Sequence, residues 1–394
     1  MTAPTRRRFL SSGLALGCSA AAFPLLTPVT VAAAPGDGRL VVIVLRGGLD
    51  GLDIARPLGD PNYAALRPRL SRDAAEGALD LGGGFALHPA LGGLGDLWRA
   101  GELAFAHAVA TPYRDRRSHF DGQDFLENGG AASDGTMTAG RDGWLNRALA
   151  LMPGARAETA YAVGRERMLL LHGEAPARSW SPESDLSLSP QGQHLLEVIY
   201  RGDPLFAEAA ATAFELSELM DASGRLDRRG SKARALATFA TDRLNAEARI
   251  AAFSLGGWDT HRNQGRSLPR ALGGLETAIL TLRDGLGPHW ARTTVIALTE
   301  FGRTARENGS AGTDHGTGGV AVLAGGALSG ARVHGRWPGL APSDLYRDRD
   351  LMPTEDVRRY AGWLLAGLFG LQPSAIERSV FPGLDMGADP GLLA

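Results

Sequence analysis

Arg39-Leu40-Val41-Val42-Ile43-Val44-Leu45 is a largely apolar run that ends just before the Gly47-Gly48 pair. No polar residue alternates through it, so the pattern predicts a strand buried on both faces, as in a parallel sheet beneath helices. Residues 91–101 have helical spacing, and Leu103-Ala104-Phe105-Ala106-His107-Ala108-Val109 then reads as a second strand. Ile250-Ala251-Ala252-Phe253-Ser254-Leu255 and Thr294-Val295-Ile296-Ala297-Leu298-Thr299 supply two more, separated by a helix over about 267–286. Val320-Ala321-Val322-Leu323-Ala324 closes the series, and residues 355–368 carry the apolar stripe of a C-terminal amphipathic helix. Strands alternating with helices predict a doubly wound α/β fold, a largely parallel central sheet flanked by helices.

Residues 154–248 differ in character. A Ser/Pro-rich piece at 179–192 precedes helical patterns from Gln193 and from Ser231, which predicts a helical insertion or cap on the sheet. The first 34 residues stand apart as well. Thr5-Arg6-Arg7-Arg8-Phe9-Leu10 resembles the twin-arginine export signal, and the uncharged stretch after it is broken by Gly and Pro. That break argues against reading the stretch as a membrane span, and no stable span is expected in the mature protein. A small-residue cleavage site falls between Ala33 and Ala34. A lipoprotein signal at Cys18 fits less well, because Ala15-Leu16-Gly17 has its bulky and small residues in the wrong order. The expectation is a signal peptide over 1–34 and a single α/β domain over 35–394. The twin-arginine machinery would export it folded to the periplasm or beyond.

Composition narrows the chemistry. Apolar residues are 44% and charged residues 21% of 394, ordinary for a globular protein. The formal charge is −2, and removal of Arg6, Arg7 and Arg8 with no acidic residue makes it −5. No basic block points to nucleic acid. Of 41 basic residues only Lys232 is lysine, so Arg is the cation available for anion recognition. Cys18 is the only cysteine, so a mature chain has neither thiol nor disulfide, and a metal site must use oxygen and nitrogen ligands.

The candidates cluster where predicted strands run into loops, the edge at which open α/β sheets bind ligands. Asp50, in Gly47-Gly48-Leu49-Asp50-Gly51, can ligate a cation from a glycine-rich turn, or simply accept loop N–H bonds. Ser118 followed by Asp121 reads as a helix cap. The same position would place its hydroxyl in the positive potential of a helix N-terminus, with Arg116 and Arg117 able to bind a phosphate or sulfate group. Asp259-Thr260-His261 puts a carboxylate and an imidazole on one face of an extended segment, suited to one metal or two neighbouring ones. Glu300 is a candidate ligand in Thr299-Glu300-Phe301-Gly302-Arg303, with Arg303 an anion clamp or the partner of Glu300. Asp314-His315 lies in a loop too rich in glycine for a packing role, where an Asx turn is the plain alternative. His88, His107, His172, His194, His289 and His334 lack such surroundings and read as structural.

Arg117-Ser118-His119-Phe120, Gly257-Trp258-Asp259-Thr260-His261, Thr299-Glu300-Phe301-Gly302-Arg303 and Asp314-His315-Gly316, in this order, resemble the domain of unknown function 1501 family. The likeness covers nearly the whole mature chain. That family is similar to the alkaline phosphatase and sulfatase superfamily, which implies an alkaline phosphatase-like sheet with a dinuclear metal site at the strand ends. By that resemblance Asp50 is the first-strand ligand and Ser118 the nucleophile. Asp259 and His261 belong to one metal site, and His315 is the late histidine. Glu300-Phe301 stands where active superfamily members have an Asp-His pair, so one imidazole is missing and Asp314 is its candidate replacement. Ser118 also lies outside the sulfatase signature that directs formylglycine formation.

Two functions follow as expectations. The first is a metal-dependent hydrolase of a phosphate or sulfate ester. Asp50, Asp259, His261, Glu300, Asp314 and His315 would hold zinc, manganese or calcium, and Ser118, Arg117 and Arg303 would act on a small anionic ester. The second keeps the fold as a non-catalytic exported binding or assembly module.

Overall fold

The computed structural model describes residues 37–72, 74–130, 141–164, 168–181 and 232–394. The expected signal peptide, Cys18 and the helical pattern from Gln193 lie outside them. A nine-stranded sheet organises the unit Asp37–Ala394. Its strands are β1 (Arg39–Arg46), β2 (Leu103–Ala110), β3 (Ala160–Val163), β4 (Arg178–Trp180), β5 (Ile250–Gly256), β6 (Thr293–Leu298), β7 (Gly319–Ala324), β8 (Arg332–His334) and β9 (Glu355–Asp356). The order is β8-β2-β7-β6-β1-β5-β3-β4, with β9 also paired to β2.

The apolar run of β1 is buried on both sides for the reason its pattern gave. Val41, Ile43 and Leu45 join one core, and Leu40, Val42 and Val44 join the other. Helices α3 (Lys232–Asn245) and α4 (Gln264–Leu286) cover the first face. Helices α2 (Trp144–Leu151) and α5 (Val357–Phe369) cover the second. No helix among the described residues is long and apolar enough to cross a membrane.

All pairings are parallel except those of β7, which runs antiparallel to both β2 and β6. The single reversal matters for chemistry. The start of β7 lies on the edge where β1, β5 and β6 end, so the loop before β7 meets the loops that follow the others.

The stretch expected as a helical insertion or cap is described only in part. Its described part contributes β3 and β4 to the sheet and α3 to one covering layer, while residues 182–231 lie outside the description. Strands of four and three residues are too short to display a period, so only the helical patterns around them were visible.

Candidate metal centre

Beyond β5 the chain turns at Gly257, and buried Trp258 anchors the turn by donating from Nε1 to Leu255 O at 2.9 Å. Alternation then decides directions. Thr260 points inward and is buried, while Asp259 and His261 share the open side. The loop before β7 repeats the arrangement, with Thr313 buried and Asp314 and His315 only partly covered. Close backbone approach holds the two loops together. A Cβ on Gly312 would stand 2.3 Å from the backbone carbon of His261 and 2.4 Å from Thr260 O. Gly312→Ala should therefore cost about 1–3 kcal/mol as an overpacked site, read as a lower midpoint in urea denaturation.

Helix α1 (His119–Asn128) brings the third imidazole. Ser118 caps it, its Oγ accepting from Asp121 N at 3.4 Å, and Gly122 lets the helix lie against Phe301 and Glu300. His119, Asp259 and His315 offer ligand atoms all within 4.8 Å of one another. His261 joins them: its Nε2 is 3.0 Å from Asp259 Oδ1 and 3.0 Å from His315 Nε2. His315 Nε2 is 3.3 Å from Asp259 Oδ1, and His119 Nε2 is 3.5 Å from Asp259 Oδ2. Neighbouring ligands of a tetrahedral zinc stand roughly 3.3 Å apart.

The other ring nitrogens fix the protonation pattern. His119 Nδ1 faces Glu300 Oε1 at 2.8 Å, His261 Nδ1 faces Asp314 Oδ1 at 3.0 Å, and His315 Nδ1 faces the Arg117 carbonyl at 2.9 Å. A carbonyl and two carboxylates only accept, so each Nδ1 carries the proton, and a neutral ring then presents a bare Nε2. Those bare nitrogens converge on one carboxylate. His119 Nε2 is buried without a hydrogen-bond partner, and the Nε2 atoms of His261 and His315 face each other lone pair to lone pair. A cation resolves both conflicts, and orientation of a ligating imidazole by an acceptor on its far nitrogen is the usual outer arrangement of metal sites.

Neighbouring charges and burial shift both the carboxyls and the imidazoles. Burial pushes the carboxyl of Asp259 up, but the hydrogen bond and charge of Arg303, with His261 and His119, hold it below its ordinary value. Glu300 and Asp314 are likewise pushed up by burial and brought below their ordinary range by hydrogen bonds, those from His119 and Asn308 foremost. The hydrogen bond that His119 donates to Glu300 raises the pKa of His119 against the opposing effect of burial, whereas burial lowers that of His315.

The structure thus assembles Asp259, His261 and His315 and adds His119, which sequence reasoning had passed over beside Ser118. Asp314 and Glu300 sit one step out as orienting groups. Oε1 of Glu300 also accepts from Gly47 N and Gln123 Nε2, and Glu300 is not paired with Arg303. Asp50 is not brought to the cluster. It is buried, with Arg67 on both carboxylate oxygens at 2.6 and 3.0 Å and Gln264 on one of them, because the chain turns inward after Gly48. Arg303 is buried and spent on Asp259 (2.9 Å) and on Thr313 O (2.7 Å). Arg117 lends its carbonyl to His315, and its half-exposed guanidinium stands 3.8 Å from Asp350. Of the histidines read as structural, His88 accepts from Ala90 N at the start of a short helix and His107 contacts Ala55 O; burial lowers both to about 4.

Fold and site together define an α/β protein whose His119, Asp259 and His315 form a group at the strand ends that could hold a metal ion, with His261 beside them. The chain belongs to the family described as "Protein of unknown function (DUF1501)", whose family model matches residues 101–379. Among solved structures it is similar to a protein in the alkaline phosphatase superfamily from Vibrio parahaemolyticus, at 13% identity and a TM-score of 0.34. That match covers 74% of this chain, which spans 61% of that protein. It is also similar to the C-terminal periplasmic domain of EcEptC from Escherichia coli in complex with Zn, at 10% identity and a TM-score of 0.41, covering 91% and 92% of the two chains. No curated protein matches the sequence.

Proposed function

We propose that this chain is an exported, metal-dependent hydrolase of a phosphate or sulfate ester, with its centre at His119, His261, His315 and Asp259. The observation that carries the reading is the convergence of three Nε2 atoms on Asp259 while every Nδ1 is held by an acceptor. Three imidazoles and one carboxylate suit zinc ahead of manganese, and suit calcium least, since calcium prefers an all-oxygen shell. Bound there, a divalent ion supplies Lewis-acid polarisation of an ester oxygen.

The chain's own residues do the rest. Glu300, Asp314 and the Arg117 carbonyl hold the imidazoles in one tautomer, and Arg303 holds Asp259 ionised. Arg117, on the segment leading into His119, is the half-exposed cation available to an anionic substrate. Ser118, next to the ligand His119, is the candidate nucleophile. Glu300→Gln should weaken metal binding about 10-fold or more, as loss of an outer-shell charge does, measured by competition with a chromophoric chelator.

Two observations favour a second reading, a non-catalytic metal-binding module. The Ser118 hydroxyl is engaged in capping α1, and Arg303 is buried in its own pairings. Elemental analysis of protein matured through the twin-arginine route, with turnover of aryl phosphate and aryl sulfate before and after chelation, separates the readings. One metal per chain with chelator-sensitive hydrolysis supports the enzyme. Metal without turnover of either ester supports the module, and protein that takes up no metal defeats both.

A further inference from the structure

Gln264, the first residue of α4, is fully buried, and its side-chain amide has four hydrogen bonds. Nε2 donates to Asp50 Oδ2 at 2.5 Å and to Asp53 Oδ2 at 2.9 Å. Oε1 accepts from Thr260 Oγ1 at 2.8 Å and from Thr313 Oγ1 at 2.7 Å. Carboxylates only accept, so the amide can lie one way round and both threonine hydroxyls must donate to it. Thr260 stands between Asp259 and His261, and Thr313 precedes Asp314-His315. The oxygen of Thr313 also accepts from Arg303 Nε at 3.2 Å, and Arg303 in turn holds Asp259. The far side is equally fixed, because Arg67 clamps Asp50 and Arg56 clamps Asp53.

We propose that Gln264 is a positioning residue for the metal centre: its one amide ties the loop of Asp259 and His261 to the loop of His315 and sets the spacing of their ligand atoms. The inference rests on the metal-centre reading above. A polar network with every group satisfied is stiff, and this one reaches the ligands through the inward-facing residues of both loops. It also gives Asp50 a role, as the anchor of the amide that holds the ligands rather than a ligand itself.

The test uses full-length, metal-free protein titrated with zinc and with cobalt(II), whose visible absorption reports ligand geometry. Gln264→Met keeps the length of the side chain and removes its four hydrogen bonds. It should weaken zinc binding about 10- to 100-fold, as loss of an outer-shell partner does, and change the cobalt spectrum. Thr260→Val, which removes one donor to Oε1, should shift both in the same direction by less. Tyr360→Phe, which removes a 2.7 Å bond to Glu355 from α5 on the other face of the sheet, should lower thermal stability and leave affinity and spectrum unchanged. Wild-type affinity and spectrum in Gln264→Met and Thr260→Val would overturn the positioning role while leaving the metal centre standing. If Gln264→Met does not fold, unchanged zinc affinity in Thr260→Val overturns it. A wild-type protein that binds neither ion overturns the metal centre and this inference with it.

Discussion

Asp259→Asn protein is expected to fold almost as well as the wild type and yet to bind zinc more than about 100-fold less tightly, beyond the roughly 10–100-fold cost of losing an outer-shell partner. Asp259 is the only carboxylate among the converging ligand atoms, and its oxygens face all three imidazoles. An amide keeps an acceptor for Arg303 Nη1 but removes the anion. Asp259→Ala should lose the metal equally and lose stability too, because the fully buried Arg303 Nη1 would then have no side-chain acceptor in place of Asp259 Oδ1. The pair of variants therefore separates ligation from folding. Metal at 100 times its dissociation constant stabilises a protein by about 2.7 kcal/mol, so a zinc-induced rise in melting temperature should appear in the wild type and vanish in both variants. Equal zinc content in wild type and Asp259→Asn would end the case for a centre built on this residue.

The framework was legible because a strand buried on both faces leaves no room for polar residues. The runs at Arg39–Leu45 and Thr294–Thr299 give strands within a residue of their observed ends. Asp259 and His261 were legible for a related reason, since alternation after a strand end puts residues two apart on one side. What was hidden depends on pairing across the chain. Nothing local in Gly319–Ala324 says that β7 runs antiparallel, yet that reversal brings His315 to the strand ends. His119 was overlooked because its neighbour Ser118 offered a familiar hydroxyl, and only the fold reveals Glu300, 181 residues away, holding its Nδ1. Asp50 read as a ligand because an acid after Gly-Gly at a strand end is a good cation site. Its actual partner Arg67 lies 17 residues on in a segment with no pattern to announce it.

That pair carries the second large effect. Asp50→Ala should destabilise the metal-free protein by about 3–5 kcal/mol, the cost of leaving a buried charge without its partner. Such a loss is a large fraction of the roughly 5–15 kcal/mol that holds a domain folded. The side chain of Arg67 is 0% exposed and makes two bonds to the carboxylate, so no water replaces the lost acceptor. Burial alone would lower the pKa of Arg67, but the charge and hydrogen bonds of Asp50 outweigh it and raise it, so the guanidinium stays charged. A double variant, Asp50→Ala with Arg67→Met, should recover part of the loss, because the unpaired cation is gone. The recovery stays partial, since Arg67 also donates to the carbonyls of Ala305 and Thr304 and those are left unsatisfied. Urea denaturation of the metal-free proteins measures all three differences. A metal ligand would behave in the opposite way, since its removal would spare the metal-free fold and abolish only the zinc-induced stabilisation. If Asp50→Ala did that, the carboxylate would belong to the metal centre after all, and the buried ion pair would not be its main role.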